Sequence, residues 1–122
     1  LDAVWLVAQE AREGEPQVVC EMDEAFHQQL VLAAGNPEMS RIHRDISERI
    51  RIIRRLDFTR QERIASTYEE HAAILRHVAR RQVDEASMLL RAHIEASKAV
   101  VRQITLHRLH SARTAPPLAR SE

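Results

Sequence analysis

Apolar residues recur every three to four positions along almost the whole chain, and strict apolar–polar alternation never lasts beyond a few residues. That is the period of an α-helix and not of a strand, so the pattern predicts an all-α protein. A first short helix is expected from about Asp2 to Arg12, stopped by Gly14 and Pro16. A second runs from about Pro16 to Ala34, with Pro16 near its N-terminus, where a missing N–H costs little, and Gly35 as its left-handed stop. Asn36 can cap a third helix that starts at Pro37 and reaches about Asp57. Ser66…Glu69 and Thr67…Glu70 both match a capping box, which predicts a fourth helix from there to about Arg81. Gln82 or Asp84 opens a long fifth helix to about His110. The tail from Ser111 to Glu122, with Pro116 and Pro117, is expected to be unstructured. With no internal repeat and no linker dividing it, residues 1–110 read as one antiparallel helical bundle.

The informative residues are polar ones inside the apolar stripes. On the second helix Val19, Met22, Phe26, Leu30 and Ala33 form the stripe, and Asp23 and His27, one turn apart, interrupt it. On the fourth, His71 lies among Tyr68, Leu75 and Val78. On the fifth, His93 lies among Ala86, Leu89, Leu90, Ile94, Val100 and Ile104. A carboxylate desolvated without a partner costs several kcal/mol, and a divalent cation satisfies Asp and neutral His together. His₃Asp is a donor set suited to Zn, Ni, Mn or Fe. Spacing alone leaves two readings open: a shared metal at the centre of the bundle, or hydrogen-bonded core histidines beside a local Asp23–His27 pair.

On the third helix Ile42, Ile46 and Ile53 place Arg49 on the expected buried side, where its guanidinium can form a two-pronged bond to a carboxylate ligand. The alternatives are a structural ion pair with a carboxylate such as Asp23, or snorkelling to the surface. The rest of the Arg49 to Arg55 run reads as a solvated face, and His43, His77, His107 and His110 as surface or edge residues.

Composition narrows the function. The 122 residues carry 18 basic and 18 acidic side chains, four aromatics and two glycines. A neutral chain with one mildly basic stretch, from Arg41 to Arg63, offers neither the footprint of a DNA-backbone binder nor a stacking platform for single strands. Gly-rich phosphate loops are equally disfavoured. The lone Cys20 has no intrachain partner, which fits a reducing cytosol, and no apolar run approaches the roughly 20 residues that span a bilayer. The chain begins Leu1-Asp2-Ala3-Val4-Trp5, without Met and already inside a helical pattern, so a piece of a longer protein is expected.

Asp23-Glu24-Ala25-Phe26-His27, then Leu30 and Ala33-Ala34-Gly35-Asn36-Pro37, then Glu70-His71-Ala72-Ala73-Ile74, and finally Arg91-Ala92-His93-Ile94 resemble, in order and separation, the FCD domain. This is the effector-binding C-terminal domain of the FadR subfamily of GntR-type transcription regulators. The similarity runs from about Leu1 to Val101. Where the family often has Gly-Asp before its last helix, this chain has Arg81-Gln82, a change at a helix cap. The resemblance implies a bundle with one divalent metal (Zn, Ni or Mn) in a central cavity, held by Asp23, His27, His71 and His93. It further implies a small organic acid as effector, a cytoplasmic homodimer, and operator DNA bound through an N-terminal winged helix-turn-helix. That domain and the first effector-domain helix are expected to lie outside this chain. Arg49 is then the expected carboxylate contact, and Ser97, one turn after His93, a candidate hydroxyl contact or support for the metal ligands.

The sensor has two rivals. A metal-dependent bundle enzyme of the di-iron kind needs Glu-x-x-His from two helices, and Glu24-x-x-His27 is one match only; no catalytic residue is assigned. A structural dimerisation module with an incidental metal would need no cavity.

Overall fold

A computed structural model describes residues 1–114. The described residues form helices and turns without a strand: α1 (Asp2–Trp5), a 3-10 turn (Gln9–Ala11), α2 (Pro16–Ala33), α3 (Pro37–Asp57), α4 (Gln61–Ala79) and α5 (Val83–Thr114). Short turns make successive long helices antiparallel; α2 packs on α3, α4 on α5, and α3 on α5, while α1 closes against α4.

The helix ends follow local chemistry. Pro16 and Pro37 occupy first-turn positions, and Asn36 accepts a hydrogen bond from the Met39 N–H at 3.1 Å. Gly35 takes φ +76 after α2, which a side chain would strain. Between α4 and α5 the left-handed position falls to Arg81, φ 56. Its N–H bonds the Val78 carbonyl and the next N–H, that of Gln82, bonds the His77 carbonyl, both at 3.0 Å.

Three expectations change. α4 begins at Gln61, five residues before the expected capping box, and Ser66 is a mid-helix serine whose hydroxyl donates back to the Arg63 carbonyl. Its true start is fixed by a tight turn in which Phe58 is buried and Arg63 Nε contacts both Asp57 oxygens at 3.1 and 3.2 Å. The first helix is one turn and a separate 3-10 turn, an arrangement in which Trp5 reaches the core and the Glu13 N–H donates to the Tyr68 hydroxyl. α5 continues beyond His110 to Thr114; the remainder of the tail expected to be unstructured, residues 115–122, lies outside the described residues.

The core is compact and aromatic at its middle. Trp5, Phe26, Tyr68, Ile74 and Val19 are almost fully buried, and His71 among them is completely so. Val78 and Ile94, expected in the apolar stripes, are largely exposed.

Candidate metal centre

On α2 the repeat that buries Val19 and Phe26 also turns Asp23 inward, and His27 follows one helical turn later. α4 contributes His71 between buried Tyr68 and Leu75, and α5 contributes His93. Asp23, His27, His71 and His93 bring one donor atom each to a single point, all within 4.8 Å of one another. Around the cluster His71 Nε2 lies 3.2 Å from His93 Nε2, which lies 3.3 Å from His27 Nε2. Asp23 Oδ1 closes the ring, 3.5 Å from His27 Nε2 and 3.3 Å from His71 Nε2.

Each ring is held differently. Phe26 stacks on His71 with centroids 3.7 Å apart and planes 9° from parallel, while the Trp5 edge meets the same imidazole at 4.2 Å. His27 and His93 stack on each other at 5.2 Å. His93 Nδ1 is hydrogen-bonded to Glu70 Oε2. Asp23 divides its oxygens: Oδ1 faces the histidines, and Oδ2 lies 3.0 Å from Arg54 Nε. The next residue, Glu24, is gripped through both oxygens by Arg51, at 2.8 and 3.0 Å.

The electrostatics favour a charged Asp23 carboxylate beside a neutral His71 ring. Burial opposes the charge on Asp23, yet hydrogen bonds with His27 and His71 and the charge of Arg54 hold its carboxyl far below the usual range. Burial pushes His71 down to about 4 against the opposing pull of Asp23, so its ring is neutral at pH 7. A divalent ion fits this donor set. Donors about 2.0–2.2 Å from one centre stand roughly 3.0–3.5 Å apart at tetrahedral or right-angle geometry, and the distances around the ring match. His71 Nδ1, the ring nitrogen outside the cluster, is buried without a partner among the described residues.

The centre opens on a cavity of about 530 Å³ between α2, α3, α4 and α5. Its lining includes the cluster members Asp23, His27 and His93 together with His43, Arg54, Ser97, Asp57, Arg63, Lys98 and Arg102. Arg49 is not among the lining residues: it is exposed, and the expectation that it faces inward is corrected. The buried or half-buried residues of α3 include a line of Ser40, His43, Ser47, Ile50, Arg54 and Asp57, at spacings of three and four, whereas Ile42 and Ile46 are 46% and 52% exposed. The helix turns this largely polar line inward because Asp23 and Glu24 need cationic partners, and Ile42, Ile46 and Ile52 point away. Arg54 therefore makes the ion pair with Asp23 that was considered for Arg49. His43, expected at the surface or an edge, lines the cavity; its Nδ1 is buried without a partner among the described residues, and burial with nearby His27 and Arg54 lowers its pKa. His107 and His110 are exposed. The spacing of His43, Ser47, Ile50 and Arg54 carried this information, but it is hidden when only apolar residues mark the inward face.

Among curated proteins the chain is similar to the Nta operon transcriptional regulator of Aminobacter aminovorans. The two are 40% identical over 74 residues, which is 61% of this chain and 34% of that protein. This chain thus matches about a third of the relative's length. No solved structure gives a significant match. The FCD domain model matches residues 2–96, a stretch holding all four clustered donors, and on that match the chain belongs to the FCD domain family of GntR-type transcription regulators.

Proposed function

We propose that this chain is the sensing domain of a transcription regulator, that it holds one divalent metal ion (Zn, Ni or Mn) through Asp23, His27, His71 and His93, and that its effector is a small carboxylate. The observation that carries the reading is the convergence of four donors, three of which line a cavity large enough for an organic acid. The relative's name, an operon regulator, supports the regulatory half. In this reading operator DNA is bound by a separate domain of a cytoplasmic homodimer. For the described residues, no helix is long and apolar enough to cross a membrane.

When bound, the ion supplies a positive charge that an anionic oxygen can join. The chain's own residues do the rest. Arg54 fixes the Asp23 carboxylate and places cationic charge at the cavity's metal end, while His43 and Ser97 offer hydrogen bonds to carboxylate or hydroxyl oxygens. Because α3 supplies Arg54 and His43 while the metal donors come from α2, α4 and α5, an effector touching both sides favours one arrangement of α3 over others. Such differential affinity is what moves a regulatory equilibrium. The domain is read as non-catalytic: Asp57, the other carboxylate of the cavity, is engaged through both oxygens by Arg63 and does not stand free as a general base. The test is elemental analysis of the purified chain followed by calorimetry with mono- and dicarboxylic acids. One metal per chain and binding of an acid that is lost in His27→Ala support the reading; absence of both metal and acid binding overturns it.

A further inference from the structure

His71 and His93 are held by unlike means, and the difference marks a residue outside the ligand set. His71 sits between Phe26 and Trp5, which fix its plane by packing; Asp23 meets its Nε2, and its Nδ1 has no partner among the described residues. Among the described residues His93 has no such enclosure, and its close ring neighbours are the other clustered histidines. Its Nδ1 meets Glu70 Oε2, and Glu70 directly precedes His71 on α4. Two successive α4 residues thus hold opposite sides of one α5 imidazole: Glu70 at Nδ1, and His71 beside Nε2 at 3.2 Å.

A neutral imidazole carries one proton on two nitrogens, and the partner of one nitrogen decides the character of the other. A carboxylate accepts and cannot donate, so it holds the proton on Nδ1 and leaves the Nε2 lone pair pointing into the cluster. Resting on the metal reading above, the geometry assigns Glu70 as the positioning residue of the site: it sets the tautomer and ring orientation of His93 so that Nε2 is the donor. Glu70 is itself about one-third exposed, so its own cost of burial is modest. Carboxylates in this position on ligating histidines raise the basicity of the ligand, and their loss costs 10–100-fold in metal affinity as a rule.

The experiment measures zinc affinity by competition with a chromophoric chelator, and the tautomer of His93 in the metal-free chain by ring-nitrogen NMR. Glu70→Ala is expected to weaken zinc binding by about 10–100-fold and to move His93 toward the Nε2–H form. Glu70→Gln, which keeps an acceptor oxygen and the side-chain volume, should lose less, and Glu62→Ala, which removes an exposed α4 carboxylate, should change neither readout. Circular dichroism of each metal-free variant checks the fold; should Glu70→Ala not fold, Glu70→Gln decides, with a weaker zinc affinity than wild type expected. Unchanged affinity in the folded Glu70 variant overturns the assignment, as does a wild-type His93 protonated at Nε2. If the wild type binds no zinc, the metal reading fails by itself, and the NMR arm still decides whether Glu70 governs the His93 ring.

Discussion

Arg54 reaches from α3 to set its Nε 3.0 Å from Asp23 Oδ2, which leaves Asp23 Oδ1 to face His27 and His71. The contact is an ion pair with both side chains mostly buried, and its second branch, at 3.6 Å from Glu24, adds a longer-range attraction. Removing one member of such a pair strands the other charge away from water, which costs about 3–5 kcal/mol. Arg54→Ala should therefore lower the unfolding free energy by on the order of 3 kcal/mol. Arg49→Ala, on the exposed side of the same helix, should stay within about 0.5 kcal/mol of wild type. Urea titrations of the two variants distinguish the observed register of α3 from the one its isoleucines imply; equal losses would contradict the observed one.

Removal of the metal is the second test. A ligand that binds only the folded state adds about 4 kcal/mol at a thousandfold excess over its Kd. Chelation should lower the melting temperature of the wild type. In His71→Ala, which deletes a fully buried donor, chelation should leave the melting temperature unchanged. A wild-type melting curve that ignores both chelator and added zinc would remove the metal from the reading.

The metal-free chain should also become less stable in mild acid, for a reason specific to His71. Burial holds its folded-state pKa at about 4, against 6.5 for the ordinary imidazole. Between those values the unfolded chain binds a proton that the folded chain refuses, so stability rises with pH across the window and falls as pH drops from about 6.5 toward 4. The size of the effect is on the order of 3 kcal/mol. Asp23, whose carboxyl is held far below the usual range, opposes folding only at still lower pH, when its protonation removes the contacts it accepts. Urea titrations in chelator at pH 7, 6 and 5 should show the decline, and His71→Gln should flatten it. A wild type equally stable at all three would mean that His71 charges freely in the fold.

Much of this arrangement was legible from the order of residues, and the gaps share a cause. Asp23, His27, His71 and His93 could be picked out because each interrupts an apolar stripe on its helix, although Val78 and Ile94 of those stripes are exposed. α3 defeats that method. Its most regular apolar positions, Met39, Ile42 and Ile46, are exposed, and its inward line of His43, Ser47 and Arg54 is polar because it faces two buried acids on α2. The partner of a buried charge is a tertiary fact, invisible to the periodicity of one helix. The start of α4 was missed for a related reason, since a capping-box pattern inside a helix looks the same in sequence as one at its end, and only the Phe58–Arg60 turn separates them.

The turn between α4 and α5 gives the last prediction. Arg81 carries φ 56, in the left-handed region where a side chain crowds the backbone and glycine does not. The conformation is imposed by the helix end: the Arg81 N–H bonds the Val78 carbonyl and the Gln82 N–H bonds the His77 carbonyl, so the chain must turn left-handed there to satisfy the last carbonyls of α4. His77 and Gln82 reinforce the turn with a side-chain contact at 2.6 Å. Arg81→Gly relieves the strain in the folded state but gives the unfolded chain more freedom, so the net gain is a fraction of the strain, about 0.5–1 kcal/mol. Arg81→Ala keeps the Cβ and should gain nothing. Because Arg81 lies outside the metal cluster and its cavity, zinc affinity should be the same in all three chains. Thermal melting of the metal-free proteins reads the effect as a rise of a few degrees for glycine alone. A rise of equal size with alanine would show that relief of the left-handed backbone is not its source.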